Sequence, residues 1–165
     1  MLVGDAGYGG AAAFRHGLTD QCLPYAVQIS HTLRVLPATA TRTTPAWSGR
    51  GRRPQPRYEQ QSVPVKEYIT ALGSRRARRI TWRTESGQQH GQPRMLSGRF
   101  VFARVLQADA GTKTIYKGQN LPECWIIAEW PPGAAEPTRY WLSTLPTNTP
   151  KARLVQAAKQ RDHAA

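Results

Sequence analysis

Acidic residues are scarce in this chain: ten Asp and Glu stand against 23 Lys and Arg, a net charge of +13 over 165 residues. That imbalance points to a polyanionic partner, nucleic acid before an acidic membrane surface. Cysteine is scarcer still. Cys22 and Cys124 lie far apart and no CxxC occurs, which excludes a disulfide framework and reads as two reduced thiols in a cytoplasmic protein. His16, His31, His90 and His163 are equally scattered, so spacing alone draws no zinc site. Long apolar runs are missing as well. The longest early uncharged stretch, Gln21 to Leu33, falls short of the ~20 residues a membrane span needs and contains Gln, Pro, Ser and His. The N-terminus has no basic region and Asp5 interrupts its apolar start, so a secretory signal is not supported. Hydrophobic residues reach 39%, yet five Trp, six Tyr and three Phe are enough to anchor a modest core. A collagen-like, coiled-coil or wholly disordered chain does not fit, and no internal repeat is visible.

The charge is unevenly placed. Between Arg42 and Arg104 lie 14 of the 23 basic residues and only Glu59, Glu67 and Glu85, so this segment carries +11 of the +13. Residues 1–41 are nearly neutral, and 120–145 hold Glu123, Glu129 and Glu136 against Arg139 alone. A basic middle between neutral and acidic flanks reads as a scaffold with a charged insertion. Eighteen of the basic residues are Arg, whose planar fork suits bidentate phosphate contacts. Like charges at this density repel one another, and a polyanion relieves the repulsion. Arg50, Arg52, Arg53, Arg75, Arg76, Arg78 and Arg79 are therefore the candidate DNA contacts. The plain alternative is a solvated basic loop.

Periodicity sets the elements. Ala11 to His16 has helical composition and is expected to end near Gly17; Tyr25 to Ser30 is a strand with Val27 and Ile29 on one side. Thr41 to Pro64 is rich in Pro, Gly, Arg and Gln and reads as loop. Val65, Tyr68, Ile69 and Leu72 share a helical face that Gly73 interrupts. Ile80 to Arg83 and Arg99 to Gln107 alternate as strands, and Cys124 to Trp130 and Arg139 to Thr144 are two Trp-containing strands joined by a Pro-rich turn. Thr149 is the expected N-cap of a last helix beginning at Pro150, with Leu154, Val155 and Ala158 on its apolar side. The sum is an α/β or α+β protein.

Asp5 is the most informative single residue. A carboxylate at the end of a short strand, before a glycine-rich turn, is a common metal-ligand position in open α/β sheets; a turn or helix-capping Asp is the plain alternative. Gly7-x-Gly9-x-x-Ala12 fits a dinucleotide fingerprint loosely. That motif needs an acid ~20 residues on, whereas none occurs between Asp20 and Glu59. Trp125, Trp130 and Trp141 read first as packing residues, with base stacking a second reading for Trp125 and Trp130. Glu123, Glu129 and Glu136 read as solvated surface.

With these residues placed, the sequence resembles the DDE transposases of bacterial insertion sequences, in particular the group called insertion-sequence family seven-oh-one. The matching runs are Asp5-Ala6-Gly7-Tyr8-Gly9 with Ala13-Phe14-Arg15-x-Gly17-Leu18, Ser48-Gly49-Arg50-Gly51-Arg52-x-Pro54, and Thr81-Trp82-Arg83. The longest are Leu121 to Pro131 and Tyr140-Trp141-Leu142-Ser143-x-Leu145-Pro146.

The resemblance implies a partial RNase H-like α/β fold interrupted by a basic, β-rich insertion. Residues 1–37 are then a core part, 38–119 the insertion, and 120–165 core strands with a C-terminal helix. It also implies a trio of carboxylates holding two divalent ions, Mg²⁺ as a rule, that cut and join DNA strands at transposon ends. Asp5 corresponds to the second Asp of the trio. The first lies upstream in the family, and the Glu follows a run that Lys159-Gln160-Arg161 begins. The expectation is a central piece of the catalytic domain, inactive alone, with oligomer formation left to the full-length protein. The rival expectation is a stand-alone basic DNA-binding module without catalysis.

Overall fold

A computed structural model describes residues 2–4, 11–84 and 94–160. The chain opens with β1 (Leu2–Gly4), α1 (Ala12–Asp20) and β2 (Tyr25–Ile29). β1 and β2 pair in parallel, Leu2 opposite Tyr25 and Gly4 opposite Val27. Contrary to expectation α1 runs through Gly17 to Asp20. A mid-helix Gly costs about 1 kcal/mol, and burial of Leu18 beyond it supplies the compensating contact.

β3 (Arg34–Pro37) follows, then β4 (Arg42–Thr43) and β5 (Arg57–Tyr58), which form a small ribbon of their own. β6 (Val63–Pro64) leads into α2 (Val65–Leu72). The expected apolar face and the break at Gly73 both hold: Val65 and Ile69 are buried, and Gly73 sits at φ +91°, a conformation that favours glycine. After a single 3₁₀ turn, Ser74–Arg76, come β7 (Arg78–Thr84) and β8 (Arg94–Gln107), longer than their alternation predicted. A short helix that the sequence did not suggest, α3 (Ala110–Ile115), precedes β9 (Glu123–Glu129), β10 (Arg139–Ser143) and α4 (Lys151–Lys159).

Eight strands make one sheet in the order β1-β2-β10-β9-β8-β3-β6, with β7 also on β8. Apart from the β1–β2 pair the pairings are antiparallel. β8 is the hub. Phe100 to Leu106 pair with β9, while on the opposite edge Arg94 to Phe100 pair with β7 and Val105 to Gln107 with β3. The basic middle and its flanks therefore share a sheet, because β8 lies within 38–119 and β9 beyond it.

Alternation along the strands builds a core on each face of the sheet. On one face Tyr25, Val27, Val101, Cys124, Ile126 and Leu142 pack with Leu18 of α1 and Val65 and Ile69 of α2. On the other, Phe100, Trp125, Ile127 and Trp141 pack with Leu154, Val155 and Ala158 of α4. Helices thus cover both faces of a mixed α/β sheet. The expected cap of α4 is corrected: the Thr149 hydroxyl donates to the Pro146 carbonyl at 2.6 Å, and Pro150 takes the capping position with no side-chain bond.

Candidate functional site

Asp5 and the glycine-rich stretch to Gly10 lie outside the described residues. What the structure gives is the strand before them: β1 ends at Gly4, in parallel register with β2.

One concentration of charge is a loop closed at its base by β4 and β5, where Arg42 faces Tyr58 and Thr43 faces Arg57. Between them Arg50, Arg52 and Arg53 are all exposed. Gly49 and Gly51, at φ +84° and +75°, turn the backbone where a side chain would be strained. The Ser48 hydroxyl donates to the Arg50 carbonyl at 3.3 Å. Trp47 stands at the start of this turn, 47% exposed, with the Arg53 guanidinium 5.0 Å from its ring centroid. The second cluster lies elsewhere along the chain: Arg75 and Arg76 on the 3₁₀ turn, Arg78 and Arg79 opening β7, all exposed. Burial first, and then the positive field of Arg78, lower the Lys151 ammonium below its ordinary value. The charge of this cluster thus reaches the start of α4.

Trp125 and Trp130, considered for base stacking, are core residues. They are 5% and 4% exposed, and their indole N–H groups donate to the Pro146 carbonyl at 3.1 Å and the Ala134 carbonyl at 2.9 Å. Rings packed in this way offer no free face to a base. Trp47 has the exposure they lack, and its place beside the Gly-Arg turn was the available signal. Among the late carboxylates, Glu123 and Glu136 are exposed as expected, paired with Arg104 and Lys66. Glu129 is not solvated surface: its side chain is 23% exposed and meets Lys159 at 2.5 Å, because α4 lies over that strand face.

A buried polar cluster has no signature in the sequence. Arg15, on α1, is fully buried. Its guanidinium donates to Gln107 at 3.1 Å, to Asp109 at 2.8 Å and to the Thr112 hydroxyl at 3.1 Å. Thr112 in turn donates to Asp109 at 2.6 Å and lies 2.8 Å from His16 Nε2. Tyr116 meets the His16 ring edge-on at 4.9 Å. Burial tends to raise the Asp109 pKa, but the Thr112 hydrogen bond and the Arg15 charge together outweigh it and hold the carboxyl below its usual range. His16 is held low by burial first and by Arg15 second. The cluster fastens α3, within the basic middle, to α1, the helix that follows residues 5–10 in the chain. Arg15 and Asp109 are 94 positions apart in the sequence, so no local pattern announces the pair.

Among the described residues no three His, Cys, Asp or Glu side chains come together as metal ligands. The described donors therefore do not fit a two-ion site. Nor is any described helix long and apolar enough to cross a membrane.

These features define a mixed α/β protein with strongly basic exposed turns, one closed by a two-stranded ribbon and one opening a strand of the main sheet. A family model described as DDE superfamily endonuclease matches residues 1–91, and the chain belongs to that family. No curated protein matches it. Membership implies DNA as the substrate, and the family generally uses divalent metals. The matched residues include Asp5 and both arginine clusters.

Proposed function

We propose that this chain serves an insertion-sequence transposase of the family seven-oh-one group, built on an RNase H-like sheet, and that its own contribution is contact with transposon DNA. Asp5 is the carboxylate we assign to the catalytic trio and to Mg²⁺. Arg50, Arg52, Arg53, Arg75, Arg76, Arg78 and Arg79 are assigned to phosphates. The observation that carries the reading is the exposed Gly-Arg turn of residues 48–53, closed by β4 and β5 and lying within the family match. Its guanidinium groups stand on a backbone that two positive-φ glycines shape, and Trp47 beside them presents a flat ring.

Replacing Arg50, Arg52 and Arg53 with Ala tests this. For every phosphate that loses its arginine, the log–log salt dependence of DNA binding is expected to flatten by ~0.9. Fluorescence anisotropy with a labelled duplex over a salt series reads the slope, and an unchanged slope would sink the assignment.

A further inference from the structure

A second basic feature lies at the base of the same loop. Arg42 and Arg57 from the β4–β5 ribbon, and Lys113 and Lys117 from α3 and the turn after it, line one concavity of about 240 Å³. No Asp or Glu is among the described residues lining it. Tyr58 and Tyr116 are part of its wall and pack against the cluster of Leu36, Leu106 and Leu121. The wall is fixed: the Leu121 amide donates to the Tyr58 hydroxyl at 3.0 Å, and Arg42 Nε donates to Asn120 at 2.9 Å. The backbone that carries Lys113 is held in place by the buried Arg15–Asp109–Thr112 cluster.

Four cations from three chain segments, brought to one concavity without a lining carboxylate among the described residues, repel one another. An adjoining concavity of about 580 Å³ shares Arg42 and Tyr58 with it. Its one carboxylate, Glu123, is already engaged by Arg104 at 3.3 Å. The groove is thus cationic and open, and shares a wall with that concavity at the foot of the arginine loop. We propose that it binds phosphate groups, and that in this protein they are phosphodiesters of DNA continuing from the loop. The choice of DNA rests on the function proposed above; the affinity for phosphate rests on the groove alone.

The test compares four forms of this chain: wild type, Lys113→Gln/Lys117→Gln, the Arg50/Arg52/Arg53→Ala triple, and Lys66→Gln as a charge control elsewhere on it. Lys113 and Lys117 are exposed, so the double variant is expected to fold as wild type, which circular dichroism checks. Salt titrations of binding to a labelled 20-base-pair duplex are run alongside calorimetric titration with pyrophosphate. The groove variant is expected to flatten the salt slope by ~1.8 (two phosphates at ~0.9 each) and to abolish pyrophosphate binding, with Lys66→Gln unchanged in both. A wild-type slope in the groove variant, with a flattened slope in the loop variant, overturns the DNA role of the groove while leaving the loop assignment standing. If pyrophosphate binding is lost but the DNA slope is not, the groove serves a small phosphate ligand. If wild type binds neither, the groove is no phosphate site. If it binds pyrophosphate but not DNA, the functional reading fails and the groove survives it.

Discussion

Arg15 shows how much one side chain can hold together. A buried guanidinium is tolerated here because three acceptors meet it, one of them charged, at 2.8–3.1 Å. Removing Asp109 takes a charged acceptor from the buried guanidinium and the side-chain cap from the Thr112 amide at the start of α3. Asp109→Ala is expected to destabilise the fold by about 3–5 kcal/mol in urea unfolding. Replacing both partners with apolar residues, Arg15→Met/Asp109→Leu, should recover much of that stability; equal destabilisation in the single and double variants would show that the pair is not the cause. The two thiols differ for a related reason. Cys124 is fully buried and its pKa is pushed up to about 12 by that burial, whereas Cys22 is exposed. A neutral-pH thiol reagent should therefore label one cysteine in the folded protein and both in denaturant, with the folded label mapping to Cys22 by mass spectrometry. Prompt labelling of Cys124 in the folded protein would contradict its placement.

Between elements, α3 and α1 approach closely. A Cβ added at Gly111 would lie 2.7 Å from the Ala12 Cβ, a distance that neither helix backbone can absorb without shifting. Gly111→Ala should cost about 1–3 kcal/mol, and adding Ala12→Gly should return part of it, less the ~1 kcal/mol a helical Gly loses. No recovery in the double variant would place the strain elsewhere. Neither α3 nor this approach was legible beforehand, since Ala110-Gly111-Thr112-Lys113-Thr114-Ile115 has no apolar period and its partner is remote in sequence. The strands were legible because alternation survives wherever both faces are covered: Trp125 and Ile127 face α4 while Cys124, Ile126 and Ala128 face α1 and α2. β8 exceeded expectation because residues 94–99 pair with β7 on its far edge, where exposed arginine and serine blur the pattern. The arginine loop was visible as composition alone. Which tryptophan stands free was not, because exposure is a property of packing: Trp47 lies outside the sheet, and Trp125 and Trp130 are sealed by helix and turn.

For the whole molecule, acid acts through two routes of the same sign. Locally, His16 is held neutral by burial and by Arg15, below its ordinary 6.5. The unfolded chain then takes up that proton first, and stability falls as pH drops below about 6.5. Asp109, held below its ordinary 3.8, adds a second decline as pH falls past that value. Globally, protonating carboxylates raises a net charge that already stands at +13, and self-repulsion favours expansion. Salt separates the two routes, because it screens charges spread over the surface and acts weakly on a buried cluster. Urea midpoints measured from pH 8 to 3 in low and high NaCl should show the low-pH destabilisation reduced by salt, with a step beginning below the ordinary His value of 6.5 that persists. His16→Gln should erase that step and leave the later decline. A step that vanishes in high salt, or survives in His16→Gln, would shift its origin from the Arg15–His16–Asp109 cluster to the surface charge.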